Sequence, residues 1–356
     1  MPTGLEEEWR FTPMGHLAPL LSGRLDGPVS VALPDAVPGL SNQRVTKPSP
    51  LVGVAPPPSD RAAAQAWAAA NQADVVTLSG QASGELLAIT VEATDTPGAH
   101  HLVVRLEAGV RAGIVLNVIG RGNLSQTVEV AVGPGAALDL VTVQELAAGS
   151  VHHGAHRATV QADGRLRHTL VSVGAGLSRT TVQAELAGQG GQLELFGLNL
   201  TGAGQHHEAQ LFIDHAASQC RSRATYKGAL LEAGARSVWV GDVLIRAGAH
   251  GTDTYEENRN LVLAKGTQAD AVPNLEIETG QIEGAGHAAT TGRFDQQQLF
   301  YLMSRGIDPT TARSMVVRAF FAELIGRIGL APLQSRLIEI ADTKLLAHTG
   351  LEGGPS

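Results

Sequence analysis

From about Val75 onward the chain breaks into short apolar or alternating runs at 86–91, 102–106, 114–119, 127–132, 138–143, 166–173, 180–186, 193–200, 209–213, 238–245 and 260–263. Runs of this length, bounded by turn formers, predict β-strands. Glycine-rich turns lie between them, among them Gly120-Arg121-Gly122, Gly133-Pro134-Gly135 and Gly188-Gln189-Gly190-Gly191. The spacing is about a dozen residues, which suits a sandwich, a barrel or a solenoid, and no strict repeat chooses among them. Roughly 200 residues of strand without a helix are many for one sandwich and natural for stacked rungs.

Both flanks follow other rules. In region 1–74, prolines cluster in Lys47-Pro48-Ser49-Pro50 and Pro56-Pro57-Pro58. Proline lacks a backbone donor, so residues 1–58 are expected to be extended segments and loops, with a short helix near Pro19. Ser59 and Asp60 then offer N-caps to a strong helix former over 61–70. After the strand-rich core at 75–292, region 293–356 takes a helical period. Asp295 with Gln298 forms a capping box, and Leu299, Phe300, Leu302 and Met303 share an apolar face. Gly306 is expected to stop that helix, and Asp308 to cap a second with Pro309 in its first turn. Gly329 and Pro332 should end it, 333–346 forms a third helix, and the last ten residues are expected to fray.

Composition narrows the chemistry. The 356 residues include 42 Gly but only 3 Trp, 3 Tyr and 7 Phe, which fits an aliphatic core of short strands and tight turns. Net charge is −8 and no Lys/Arg run stands out, so no nucleic-acid partner is expected. The start, Met1-Pro2-Thr3-Gly4-Leu5-Glu6-Glu7-Glu8, is acidic where a signal peptide is basic, and no run reaches bilayer length. The expectation is a cytoplasmic protein without a membrane segment. Cys220 is the single cysteine. It excludes an intramolecular disulfide and a self-contained thiolate cage for a cluster, and a lone strand cysteine is usually a structural, inert thiol.

Most catalytic motifs fail. No G-x-x-x-x-G-K-[ST] loop exists, so ATP chemistry would belong to a partner. Gly284-Ala285-Gly286-His287-Ala288-Ala289 spells a dinucleotide pattern without the strand–helix context it needs, and reads as coincidence. There is no nucleophile elbow. The pairs Glu256-Glu257 and Glu276/Glu278 invite a glycosidase reading, though Glu276 and Glu278 alternate with apolar neighbours as on the solvated face of a strand. His152, His153, His156, His206 and His207 cluster without a metal motif and read as turn or surface residues.

Several segments carry a resemblance. They are Val272-Pro273-Asn274-Leu275-Glu276-Ile277-Glu278-Thr279, then His287-Ala288-Ala289-Thr290-Thr291-Gly292, Asp295, and Leu299-Phe300-Tyr301-Leu302-Met303-Ser304-Arg305-Gly306-Ile307. In order and spacing they are very similar to the C-terminal signature of the SufB/SufD family of iron–sulfur cluster assembly proteins. Upstream, His215, Cys220-Arg221-Ser222-Arg223, the stretch 239–261 and Glu7-Glu8-Trp9-Arg10-Phe11-Thr12 also resemble that family.

The resemblance implies a mainly β fold, a right-handed parallel β-helix core with N-terminal and C-terminal helical regions. It implies a non-catalytic scaffold that pairs with a SufB-like protein through the β-helix and docks a SufC-like ATPase through its C-terminal helices, around Leu299, Phe300, Tyr301, Ser304, Arg305 and Gly306. It further implies that His287 faces a cysteine of the SufB-like partner at a nascent, transient cluster, with no cofactor held by this chain alone. Many relatives carry Lys-Cys-Ser-His where this chain has Gly284-Ala285-Gly286-His287, so the local thiol is lost here. One cysteine and a short chain favour the SufD side of the family. Two alternatives stay open: a stand-alone β-helix carbohydrate enzyme, and a SufB-like homodimeric scaffold. Whether a reduced flavin joins the complex is also open, since no flavin motif is readable.

Overall fold

The computed structural model describes residues 2, 4, 6–80, 86–293, 296–328 and 331–348. The expected cap Asp295, the stop at Gly329 and most of the last ten residues lie outside that set. Eighteen strands run through the described residues. The first nine are β1 (Val29–Ala32), β2 (Leu40–Thr46), β3 (Gln72–Leu78), β4 (Leu86–Ala93), β5 (Gly98–Leu106), β6 (Arg111–Gly120), β7 (Leu124–Val132), β8 (Ala137–Gln144) and β9 (Val151–Val160). The others are β10 (Arg165–Ser172), β11 (Leu177–Leu186), β12 (Gln192–Thr201), β13 (His206–His215), β14 (Arg221–Leu230), β15 (Arg236–Ile245), β16 (Asp253–Val262), β17 (Gln268–Ile277) and β18 (Gly284–Arg293).

From β3 onward, odd-numbered strands build one sheet and even-numbered strands the other. Successive members of each sheet pair in parallel, as β9 does with β11 and β16 with β18. Each circuit of the chain therefore adds one rung to both sheets, and the spacing of a dozen residues is half a circuit. Val151 lies beside Leu177 and Arg236 beside Gln268, the shortest and longest circuits at 26 and 32 residues. That variation is why no strict repeat shows in the sequence. The architecture is the mainly β, parallel β-helix solenoid expected, with helices before and after it.

Inward side chains of both sheets merge into one continuous core that runs from Val76 to Ala249. Corners are tight. A Cβ on Gly188 would lie 1.9 Å from the Ala162 nitrogen, so backbone stacks on backbone where the chain turns. Gly120 has φ +102°, and its Cβ would fall 2.3 Å from the Ala93 carbonyl oxygen; both positions require glycine.

Helices cover the two outer faces. Helix α1 (Met14–Ser22), which holds Pro19, and α2 (Arg61–Ala69) belong to the N-terminal region, with α2 against β5, β7 and β9. Asp60 caps α2 by accepting from the Ala63 N–H at 2.7 Å. On the even sheet, α3 (Gln296–Ser304), α4 (Pro309–Arg327) and α5 (Ala331–His348) follow the solenoid. Asp308 caps α4 through the Thr310 and Thr311 N–H groups, with Pro309 in the first turn as expected. Val317, Phe321, Leu324 and Ile325 of α4 pack on the outward residues Val143, Val171, Phe196 and Leu198.

The extended segments expected in residues 1–58 include two strands, β2 pairing antiparallel with β3 and β1 with β4 at the first rung. Further strands, β9, β14 and β18, escaped the apolar pattern because polar or small residues fill many of their inward positions. The segment Gly284–Arg293 is one of these strands, so its dinucleotide-like spelling opens no helix.

Candidate functional site

The last rungs differ from the rest. Along β16 the inward positions are Thr254, Glu256, Asn258 and Asn260, all polar and all buried. β18 places Ala285, His287, Ala289 and Thr291 beside them in register. Strands β17 and β18 end their sheets, pair on one side only and contain no buried residue. His287 therefore sits in the inward column of the final rung, directly after Glu256, yet is exposed.

Part of this interior is hydrogen-bonded. Asn260 Nδ2 donates to Asn258 Oδ1 at 2.7 Å, and the Ser222 and Thr254 hydroxyls lie 2.6 Å apart, with His215 Nε2 2.9 Å from Ser222. Glu256 is different. Its side chain is fully buried and neither carboxyl oxygen has a partner. Burial, with the nearby Asp242 charge second, pushes its pKa up to about 8, so the carboxyl is largely neutral at pH 7. Glu257 points outward and accepts from Arg259 at 2.7 Å. Glu256 and Glu257 thus face opposite sides of the sheet and do not converge as a carboxylate pair.

Cys220 lies in the turn just before β14, two rungs earlier than β18 in the even sheet. It is buried, its thiol donates to the Gly188 carbonyl at 3.3 Å, and burial pushes its pKa up, away from thiolate reactivity.

The α3 residues separate by face. Leu299 is buried with Ala312, alongside Leu302, Ile307 and Val316. Phe300, Tyr301 and Met303 are exposed, Phe300 at 74%. Ser304 Oγ donates to the Tyr301 carbonyl, and the Arg305 guanidinium lies 5.3 Å from the Tyr301 ring. Gly306, at φ +85°, ends the helix in the left-handed region. Between α4 and α5 lies an open groove of about 440 Å³ lined by Met315, Ala319, Phe321, Ile325 and Ile338.

Sequence reasoning missed a charged clasp on the outer face of the odd sheet. Arg179 of β11 has no exposed side-chain surface. It donates to Asp60 at 2.8 Å, to Glu208 at 3.3 Å and to Gln210 at 2.9 Å, and its guanidinium lies 4.2 Å from the Trp9 ring centroid. Glu208 also accepts from Thr12 Oγ at 2.9 Å and lies 3.1 Å from His206 Nε2. Burial opposes its ionisation, but the His206 hydrogen bond and the Arg179 charge hold its carboxyl below the ordinary value. A second knot holds Glu129, which accepts from the Gly53, Val54 and Ala55 N–H groups and lies 2.7 Å from His101 Nε2. The segment Glu7–Thr12 is therefore an anchor that ties the N-terminus to the solenoid.

The clustered histidines are corrected as well. His152, His153, His156, His206 and His207 are buried strand residues, not surface or turn residues. Burial lowers the His152 pKa to about 3 and the His153 and His168 values to about 4, which keeps these rings neutral. Among the described residues, no group of three or more His, Cys, Asp or Glu converges to hold a metal, and no helix is long and apolar enough to cross a membrane.

Comparison with known proteins adds a family. Residues 89–320 match the model of the SUF system FeS cluster assembly SufBD core domain. An iron–sulfur cluster assembly SufBD family protein of Mycobacterium tuberculosis is 43% identical over 97% of this chain and 89% of its own length. The iron–sulfur cluster assembly protein SufD of Escherichia coli is 32% identical over 49% of this chain and 41% of its own. The Bacillus subtilis protein of the same name is 25% identical over 71% and 59%.

Proposed function

The chain belongs to the SufB/SufD family of iron–sulfur cluster assembly proteins, and on that premise we propose that it is a SufD-type scaffold subunit of a cytoplasmic SufB–SufC–SufD complex. The observation that carries this reading is the uncovered last rung, where His287 stands exposed in the inward column of a solenoid whose strand edges are unpaired. Unpaired edges are a template for another chain, and a homologous solenoid is the natural cover. His287 would face that partner. Neutral imidazole is a suitable ligand for iron, and the thiolates a cluster needs would come from the SufB-like chain, since Cys220 is buried two rungs away. Iron and sulfide are cargo in this scheme, and the chain itself performs no bond-breaking step.

The exposed Phe300, Tyr301 and Met303, with Arg305 at the helix end, support α3 and its neighbours as the dock for a SufC-like ATPase. Aromatic and arginine side chains are the usual anchors of such contacts. Co-expression tests both contacts. The chain is expected to co-purify with SufB-like and SufC-like proteins, and His287→Ala is expected to keep the complex but lower cluster yield. Elution as a free monomer would overturn the scaffold reading, and stable self-pairing that assembles clusters without a second solenoid would replace it with the homodimeric one.

A further inference from the structure

We propose that Glu256 is the positioning residue for His287, accepting a hydrogen bond from one ring nitrogen when the other takes a metal ion. This inference rests on the reading of His287 as an iron ligand. The two residues are register partners on adjacent parallel strands, and alternation along β16 and β18 puts both in the inward column. Adjacent rungs are spaced about 4.8 Å, which lets a carboxyl on one reach an imidazole on the next.

No donor inside the solenoid bonds that carboxyl, although the buried Tyr226 hydroxyl and Trp239 Nε1 of the same interior are also unpartnered. Below it in the column is Ala224, which offers no polar side-chain atom. Across the interior is Gly241, where a Cβ would lie 2.8 Å from Glu256 Oε1, so the carboxyl occupies space that only glycine leaves free. Both oxygens lack a partner in a fully buried side chain, an arrangement that costs stability unless a donor arrives. The donor available on the open side is the His287 ring. Ligating histidines typically give their second N–H to a carboxylate or carbonyl, which fixes the tautomer and ring orientation.

The test uses this chain labelled with ¹⁵N-histidine in complex with its unlabelled SufB-like partner, titrated with Co²⁺ as a stand-in for ferrous iron. His287→Gln identifies the His287 signals and should abolish their response. Glu256→Leu removes the acceptor without adding an unpartnered polar group, and should weaken Co²⁺ binding about tenfold and mix the His287 tautomers, whereas Glu256→Gln keeps a carbonyl acceptor and should stay within about threefold. A purely packing role would leave the tautomer unmoved. If Glu256→Leu keeps both affinity and tautomer while His287→Gln loses binding, the positioning role falls and the iron reading stands. If His287→Gln binds Co²⁺ like the unaltered chain, the iron reading falls and this inference with it.

Discussion

Strands β6 and β16 hold equivalent places in the even sheet, five rungs apart. β6 turns Ile114, Leu116 and Val118 inward, and all three join the continuous core. β16 turns Thr254, Glu256, Asn258 and Asn260 inward at similar burial, and none joins it. The same backbone thus serves two ends. Near β6 the rungs are secured by apolar burial, by antiparallel closure and by the Glu129 knot on β7 of the odd sheet. Near β18 the interior is polar and the last rung is bare, which weakens the end as a structure and makes it available as a surface.

The largest effect expected is at the Arg179 clasp, which lies between the two ends on β11 and β13. Glu208→Ala leaves the Arg179 guanidinium buried with one of its two carboxylate partners gone, and should destabilise by about 3–5 kcal/mol. Denaturant unfolding would measure it, and a midpoint unchanged from wild type would show that the clasp does not hold the N-terminus. The pH dependence has a definite sign. The Glu208 and Glu129 carboxyls are depressed in the fold, so their contribution is present above about pH 4.5 and is lost as pH falls through their folded values.

Next comes the core itself. Leu116→Ala at β6 removes a fully buried side chain and should cost about 2–5 kcal/mol. Glu256→Gln, at the matching depth of β16, should do the reverse. A buried carboxyl raised to about 8 penalises folding as pH climbs from its unfolded value toward 8. Replacing it should therefore stabilise the chain at pH 7 by on the order of 2 kcal/mol, with the difference vanishing below about pH 4.5. Melting curves of both variants across pH would separate the two rungs. A loss of stability in Glu256→Gln at pH 7 would mean that the β16 interior is packed as rigidly as that of β6.

This contrast also explains what the sequence could reveal. β6 was readable because its inward residues are apolar, β12 because Phe196, Leu198 and Leu200 on its helix-covered outer face are apolar as well, and the caps Asp60 and Asp308 because capping is local. β9 and β14 were not, since His152, His156, Ser222 and Gly228 stand where an apolar residue would mark the inner face. The clasp was hidden by distance, Arg179 binding Asp60 and the Glu8 carbonyl from far along the chain. The column of Glu256 and His287 was hidden differently. Reading it requires the length of that particular circuit, and circuits vary too much for a period to show.

The smallest effect on stability is expected at α3, and it is also the most diagnostic. Phe300 is 74% and Tyr301 58% exposed, so replacing both by Ser should change unfolding free energy by no more than about 0.5 kcal/mol each. Leu299, one position earlier and buried against Ala312, marks the other face, and Leu299→Ala should cost about 2 kcal/mol or more. If α3 is a docking surface, the exposed pair should abolish co-purification with the SufC-like ATPase while leaving the SufB-like contact at the open end intact. Loss of both partners together would tie the helices and the last rung into one interface, and retention of the ATPase would move the dock to the groove between α4 and α5.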